Sequence, residues 1–279
     1  MKHVLKTVAI AAALVMGLCA PGYSADTINL GVAGAHSGDL ASYGIPSVRA
    51  AELVVKKINA KGGVLGKPVK LFVEDDVCKP EVAGNTATKL VSDGVHVVLG
   101  HICSGATKAA QGFYKEAGIV CMSPSATNPD LTFSGEYPNF FRTIANDGAQ
   151  AILMTEFVKN ELKTKKVALI HDKGDYGKGQ MELVRKNFEK MGGVEIVLFE
   201  GVTTGAVDYT AIVQKIKRSD AEVTMWGGYH SDASKIVQLL KKKRVKTTFF
   251  GADGIIGDNF TNLAGKYAEG VYATGPNDT

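Results

Sequence analysis

Apolar, strand-like runs alternate with segments of helical period along almost the whole chain, and that rhythm limits the possible fold more than any other feature. The runs fall at 28–33, 69–75, 95–99 and 119–122, and a second series follows at 167–170, 194–199, 223–226, 247–250 and 270–273. Between the first two runs, Val48, Ala51, Val55 and Ile58 line one helical face ahead of a Gly62-Gly63 stop. Met181, Val184, Phe188 and Met191 repeat that spacing ahead of Gly192-Gly193. Alternation of this kind predicts parallel sheets covered by helices on both faces. The expected fold is α/β, with two doubly wound parallel-sheet lobes joined by a hinge.

The segment from Asn128 to Ala149 breaks the rhythm with Pro129, Pro138 and a short strand-like run, Phe140 to Ile144. A crossover between lobes is expected near 143–147, followed by a helix from about Gln150 to Leu162. This divides the chain into a first lobe at 25–144, a second at 145–275 and the start of a return crossover at 276–279. The chain stops just after its last strand with no closing helix. We therefore expect C-terminal truncation and exposed apolar surface on the first lobe.

Residues 1–24 read as a cleavable secretory signal: Lys2, His3 and Lys6 precede the apolar Val8 to Leu18, and small residues Gly22 and Ser24 follow. Leu18 is too large for lipidation at Cys19. Cleavage removes Lys2 and Lys6 and lowers the net charge from +4 to +2, too little excess for a nucleic-acid surface. The expected location is the periplasm. Export permits a disulfide among Cys78, Cys103 and Cys121, and an odd count leaves one thiol free. Cys121 lies in the apolar run Ile119-Val120-Cys121-Met122 and reads as buried and inert. Cys78 and Cys103 each follow a strand, where neighbouring strand ends can bring them together; the rival reading makes Cys103 a nucleophile beside His101.

Ligands of open parallel sheets bind beyond the carboxyl ends of strands. Those positions hold Gly34 to Gly38 with Tyr43, Gly100 to Ser104, Pro124 to Thr127, His171 to Lys173 with Tyr176, Gly227 to His230, and Gly251 to Gly254. Small hydroxyls, glycines, tyrosines and one carboxylate suit a zwitterion with an apolar side chain. Ser104, opening a helix, can hold a carboxylate without any Arg. Thr127 can offer its N–H to the carboxylate and its hydroxyl to an ammonium group, and Asp253 can neutralise the ammonium from the opposite lobe. Tyr43, Tyr176 and Tyr229 can wall the side-chain pocket. Each residue also has an ordinary role available, Ser104 as an N-cap and Ser125, Thr127 and Asp253 as turn formers.

Other chemistries fit poorly. Gly31-Val32-Ala33-Gly34 departs from the dinucleotide fingerprint, and no Lys follows a glycine-rich phosphate loop. Neighbours in Glu74-Asp75-Asp76 point to opposite faces of a strand, and His101-x-Cys103 is too short a cluster for zinc. No Ser-His-Asp order with a nucleophile elbow occurs. Neither cofactor nor metal is expected. The run Lys241-Lys242-Lys243-Arg244 reads as a solvated helix C-terminus.

The pieces Ile58-Asn59-Ala60-Lys61-Gly62-Gly63, Gly100-His101-Ile102-Cys103-Ser104, Pro124-Ser125-Ala126-Thr127, His171-Asp172-Lys173 with Tyr176-Gly177, and Gly227-Gly228-Tyr229-His230 carry a resemblance. From about Ile28 to Pro276 the chain resembles the periplasmic branched-chain amino-acid-binding proteins, receptors of ATP-driven uptake systems of the type I periplasmic binding fold. The resemblance implies lobes that close on the ligand, a Cys78–Cys103 bridge, and a ligand carboxylate on Ser104 and Thr127. The site it implies comprises Tyr43, Cys103, Ser104, Ser125, Ala126, Thr127, Tyr176, Tyr229 and Asp253. The ammonium would meet the Ser125 carbonyl, the Thr127 hydroxyl and Asp253, which stands where members closest to this pattern carry Glu. The resulting expectation is a monomeric, non-enzymatic receptor that delivers Leu, Ile or Val to an ABC-type permease in the inner membrane. The alternatives are a sensing domain for a different small amino acid or amide, and an exported cysteine hydrolase using Cys103.

Overall fold

A computed structural model describes residues 26–276 of the chain. The expected signal, 1–24, and the last three residues of the return crossover lie outside the described residues. Two five-stranded parallel sheets are present. The first holds β1 (Ile28–Gly34), β2 (Val69–Asp75), β3 (Val97–Leu99), β4 (Val120–Ser123) and β5 (Phe140–Arg142) in the order β2-β1-β3-β4-β5. The second holds β6 (Lys166–His171), β7 (Glu195–Gly201), β8 (Val223–Gly227), β9 (Thr248–Gly251) and β10 (Tyr272–Ala273) in the order β10-β9-β8-β6-β7. Read from its own first strand, the second sheet repeats the first. In each, the chain reverses its direction of travel between the first and third strands, which is where such sheets open a crevice.

The helices follow the predicted alternation. In the first lobe they are α1 (Ala41–Ala60), α2 (Pro80–Ser92), α3 (Ser104–Glu116) and the single turn α4 (Asp130–Phe133). In the second they are α5 (Asp147–Glu156), α6 (Asp175–Met191), α7 (Thr210–Ser219), α8 (His230–Lys242) and α9 (Asp258–Ala264). The glycine stop after α6 takes effect through Gly192 at φ 63°, a conformation that a side chain disfavours.

Some boundaries differ from expectation. Helix α5 starts at Asp147 rather than Gln150, because Asn146 Oδ1 accepts the Gly148 N–H at 2.8 Å and caps it earlier. It then passes into a π-helical turn at Phe157–Glu161 before reaching Leu162. The strand-like run Phe140 to Ile144 pairs with β4 only as far as Arg142, and the last strand is two residues long.

One face of the first sheet is packed by α2 and α3 around Val98, Leu90, Ala106 and Tyr114, all fully buried. On the other face α1 leaves Val120, Met122 and Phe141 exposed, and an apolar cavity of about 420 Å³ opens between α1 and the strands. The second lobe buries side chains on both faces of its sheet; Trp226 and Phe249 belong to one cluster, Leu169 and Met225 to the other.

Candidate functional site

The matching sheet orders aim the two crevices at each other. From the first lobe come the loop after β1, which leads to Tyr43, and the turn after β3, which ends at Cys103 and Ser104. From the second come the loops after β6 and β8, which lead to Tyr176 and Tyr229. Between them lies a cleft of about 680 Å³, bordered by Leu40, Cys78, Cys103 and Asn128 on one side and Asp172, Tyr176 and Tyr229 on the other.

Cys78 and Cys103 form a disulfide with Cα atoms 5.5 Å apart, and Cys121 is a buried free thiol. The bridge overturns the reading of Cys103 as a nucleophile, since its sulfur has no thiolate to offer. Burial pushes the Cys121 thiol up to about 12, so it too stays unreactive. The bridge is held from below. Asp76 Oδ1 accepts the Cys78 N–H at 2.7 Å, and Asp76 Oδ2 lies 2.5 Å from Nδ1 of the buried His101, whose Nε2 meets Tyr114 Oη at 2.9 Å.

Helix α3 begins at Ser104, with Cys103 rather than Ser104 as its N-cap. Ser104 Oγ accepts the Asn128 N–H at 3.2 Å, which ties the helix start to the turn after β4. In that turn Ser123 Oγ accepts the N–H groups of Ser125 and Ala126 at 3.2 and 2.9 Å. Ala126 O is engaged by Arg142 Nη1 at 2.9 Å, whereas the backbone carbonyls of Pro124 and Ser125 on this turn carry no protein partner among the described residues.

The tyrosines form a contiguous group. Tyr229 lies 5.1 Å from Tyr176 and 5.7 Å from Tyr43, ring centre to ring centre. Tyr176 Oη donates to Asp253 Oδ1 at 2.8 Å and accepts the Gly254 N–H at 3.0 Å. Asp253 therefore opens a short 3-10 turn, Asp253–Ile255, with its carboxylate already oriented by a buried phenol. Burial raises the Asp253 carboxyl above the usual carboxylate range, and the Tyr176 hydrogen bond opposes that rise. Thr127 of the first lobe and Asp253 of the second line one cavity of about 180 Å³, together with Gln150 and Pro276 from the crossings.

One residue of this corner escapes sequence reasoning. Asp147 opens α5 and is 0 % exposed, with neither carboxylate oxygen partnered. Burial pushes its carboxyl up to about 7; the nearby Thr127 hydroxyl, short of good hydrogen-bond geometry, opposes this, while the charge of Asp253 adds to it. A buried, unsatisfied carboxylate is costly unless something cationic completes it. The only signal in the sequence is an acid directly after Asn146 at the crossover, and there it reads as an ordinary first-turn residue.

The acidic run at the end of β2 in the first lobe is committed locally. Glu74 pairs with Lys89, and Asp75 Oδ1 accepts the His36 and Val77 N–H groups. No cluster of three metal-binding side chains occurs among the described residues.

A cleft between two lobes of like topology, with polar groups from both, is the arrangement of a solute trap. The family model that matches residues 27–278 is described as "Periplasmic binding protein". This chain belongs to the periplasmic binding protein family. The family is one of solute-binding proteins rather than enzymes. The periplasmic binding protein described here is 35% identical over 268 residues to the Leu/Ile/Val-binding protein of Escherichia coli K12, covering 95% of this chain and 72% of that one. It is 36% identical over 252 residues to the Leu/Ile/Val/Thr-binding protein of Salmonella typhimurium, covering 90% of this chain and 68% of the relative. Its fold matches the branched-chain amino acid transporter substrate binding protein LivJ of Streptococcus pneumoniae, solved with isoleucine, at a TM-score of 0.78 and 33% identity, over 89% of this chain and 70% of LivJ. Members of this family named for Leu, Ile and Val are thus similar across both lobes of this periplasmic binding protein.

Proposed function

We propose that this periplasmic binding protein captures a branched-chain aliphatic amino acid between its lobes and delivers it to an ABC-type importer. The observation that carries this reading is the shared corner of Thr127 and Asp253, contributed by different lobes to one cavity. The ligand ammonium would sit there, met by the Thr127 hydroxyl, the Ser125 carbonyl and Asp253, with Asp147 as a second carboxylate close by. Its carboxylate would lie at the start of α3, where Ser104 and the first free N–H groups of the helix present partial positive charge. Its side chain would meet the rings of Tyr176 and Tyr229 and the Cys78–Cys103 bridge, the apolar part of a cleft that also carries Asp172 and, around it, charged residues such as Lys79 and Asp175.

A ligand held this way touches both lobes at once. It stabilises the closed arrangement by contacts the open one cannot make, so binding and closure are one event. Asp253 is one methylene shorter than glutamate, and Tyr176 fixes its oxygen, so the ammonium has to approach Asp253 rather than the reverse. The hinge is proposed near 143–147, the location is the periplasm by way of the 1–24 signal, and the working form is a monomer. The names of the Leu/Ile/Val-binding relatives support the ligand class.

Calorimetric titration with a panel of amino acids tests the reading. Leu, Ile or Val should bind tightly while Asp, Lys and Gly do not, and the signal should collapse in Asp253→Ala. Equal weak heats across the panel would overturn it.

A further inference from the structure

In a parallel sheet all the strand starts, and the last turns of the helices packed on it, gather at one end. In the second lobe that end is the pole away from the cleft, and three of the segments that meet there are 163–166 at the start of β6, 217–222 from the last turn of α7 to β8, and 241–248 from the last turn of α8 to β9. Backbone bonds hold them side by side: the Glu222 N–H donates to Lys166 O at 3.0 Å and the Thr248 N–H to Glu222 O at 2.8 Å. The first segment carries Lys163, Lys165 and Lys166, and the second carries Lys217 and Arg218. The third carries Lys241, Lys242, Lys243, Arg244 and Lys246, all exposed.

Asp220 and Glu222 are the acids within these segments, and Glu195, whose N–H donates to Lys165 O at 2.7 Å, and Glu161 stand beside them, so the basic residues still outnumber the acids. Asp220 lies 3.9 Å from Lys166 Nζ, and Glu222 Oε2 is occupied by the Lys165 N–H at 2.7 Å. Of these basic residues only Lys166 has a carboxylate partner within ion-pair distance among the described residues. Helix dipoles account for Lys217, Arg218, Lys241 and Lys242, which sit in last turns. They also favour Lys243, the C-cap of α8, and its neighbour Arg244, but they do not account for Lys165 or Lys246, which lie beyond the helix ends. So much like charge in one place repels itself, and its concentration contrasts with a chain whose net charge is only +4.

We propose that this pole is a docking surface for a membrane bearing anionic phospholipid headgroups. Diffuse attraction to such a surface needs flexible point charges, and the pole is mostly lysine. A single-strand nucleic-acid site would add aromatic side chains for base stacking, whereas the three segments hold none and Tyr267 beside them is covered by Lys242 and Lys266. The pole is remote from the cleft, so docking there leaves the lobes free to open and close, and it does not depend on which amino acid the cleft takes.

Flotation of the full mature chain with vesicles tests this. Retention is expected on phosphatidylglycerol-containing vesicles, with none on pure phosphatidylcholine, and it should vanish at high salt. Combining Lys241→Gln, Lys243→Gln, Arg244→Gln and Lys246→Gln should weaken retention by about fivefold for each charge removed. The same variant should keep the parent's thermal midpoint and amino-acid titration, which separates loss of docking from loss of fold or of the cleft. Equal behaviour on both vesicle types, no retention on anionic vesicles at low salt, or an unimpaired quadruple variant would each overturn the proposal. So would retention on duplex DNA at a salt concentration that already releases the vesicles.

Discussion

Tyr43 reaches across from the first lobe so that its hydroxyl oxygen lies 2.7 Å from His230 Nδ1 and 2.6 Å from the Gly254 carbonyl oxygen, both in the second lobe. A phenol has one proton to give. Since Gly254 O can only accept, Tyr43 donates to it and receives from His230, which fixes the imidazole proton on Nδ1. The lobes are thus joined by direct hydrogen bonds beside the cleft as well as by any ligand within it.

Tyr43→Phe removes both bonds and leaves the ring. Two neutral hydrogen bonds contribute about 1–3 kcal/mol to closure. The variant is expected to bind its amino acid about tenfold more weakly, with the ligand-free protein more open by small-angle scattering. An unchanged affinity would show that these bonds do not bias closure.

Asp147 supplies a prediction with opposite signs for stability and binding. Its carboxyl rises to about 7 in the fold from an unfolded value near 4, so between those pH values the native state holds a proton that the unfolded chain has lost. Its contribution is therefore fully present below about pH 4 and is lost as pH rises through 7. Asp147→Asn should raise the stability of the ligand-free protein by roughly 2–4 kcal/mol at pH 8 and by little at pH 4, read from urea titrations. If Asp147 faces the ligand ammonium, the same variant should bind more weakly. The parent should release a proton on binding below pH 7, visible as calorimetric heats that depend on the buffer.

The Cys78–Cys103 bridge spans a sequence separation of 25 residues. Chain-entropy reasoning assigns such a loop about 3–4 kcal/mol, which Cys78→Ala with Cys103→Ala should remove in urea unfolding. In the chain freed of residues 1–24, and so of Cys19, thiol titration of the folded protein should find no reactive sulfur, and denaturation should expose one, from Cys121.

Gly177 and Gly227 pack backbone to backbone; a Cβ on Gly177 would stand 2.3 Å from Gly227 O. Because one glycine follows Tyr176 and the other shortly precedes Tyr229, Gly177→Ala should push the two tyrosines apart. We expect a loss of about 1–3 kcal/mol in stability. Affinity should also fall more than for the exposed control Gly112→Ala, which meets nothing within 4 Å.

The lobes and the loops facing the cleft are legible in the sequence because they rest on local period: two apolar residues in alternation, or three and four apart, report a buried face directly. Ser104, Thr127, Tyr176 and Tyr229 are legible for the same reason, since each stands just beyond the carboxyl end of a strand. Asp147 and the Tyr43–His230 contact are not. Their meaning depends on residues 106 and 187 positions away, Asp253 and His230, and no local pattern carries that distance. The short pairing of β5 and the π-helical turn after α5 arise likewise from packing at the crossing rather than from the composition of either segment.

The repeated strand order has one more consequence. On the proposed reading the first lobe alone holds the guest's carboxylate, both lobes share its ammonium, and the second supplies most of the aromatic surround that tells one side chain from another. Loop exchange after β6 and β8 would then change which residue is accepted while leaving intact the demand that it be an α-amino acid, so that diet can diversify without rebuilding the clasp.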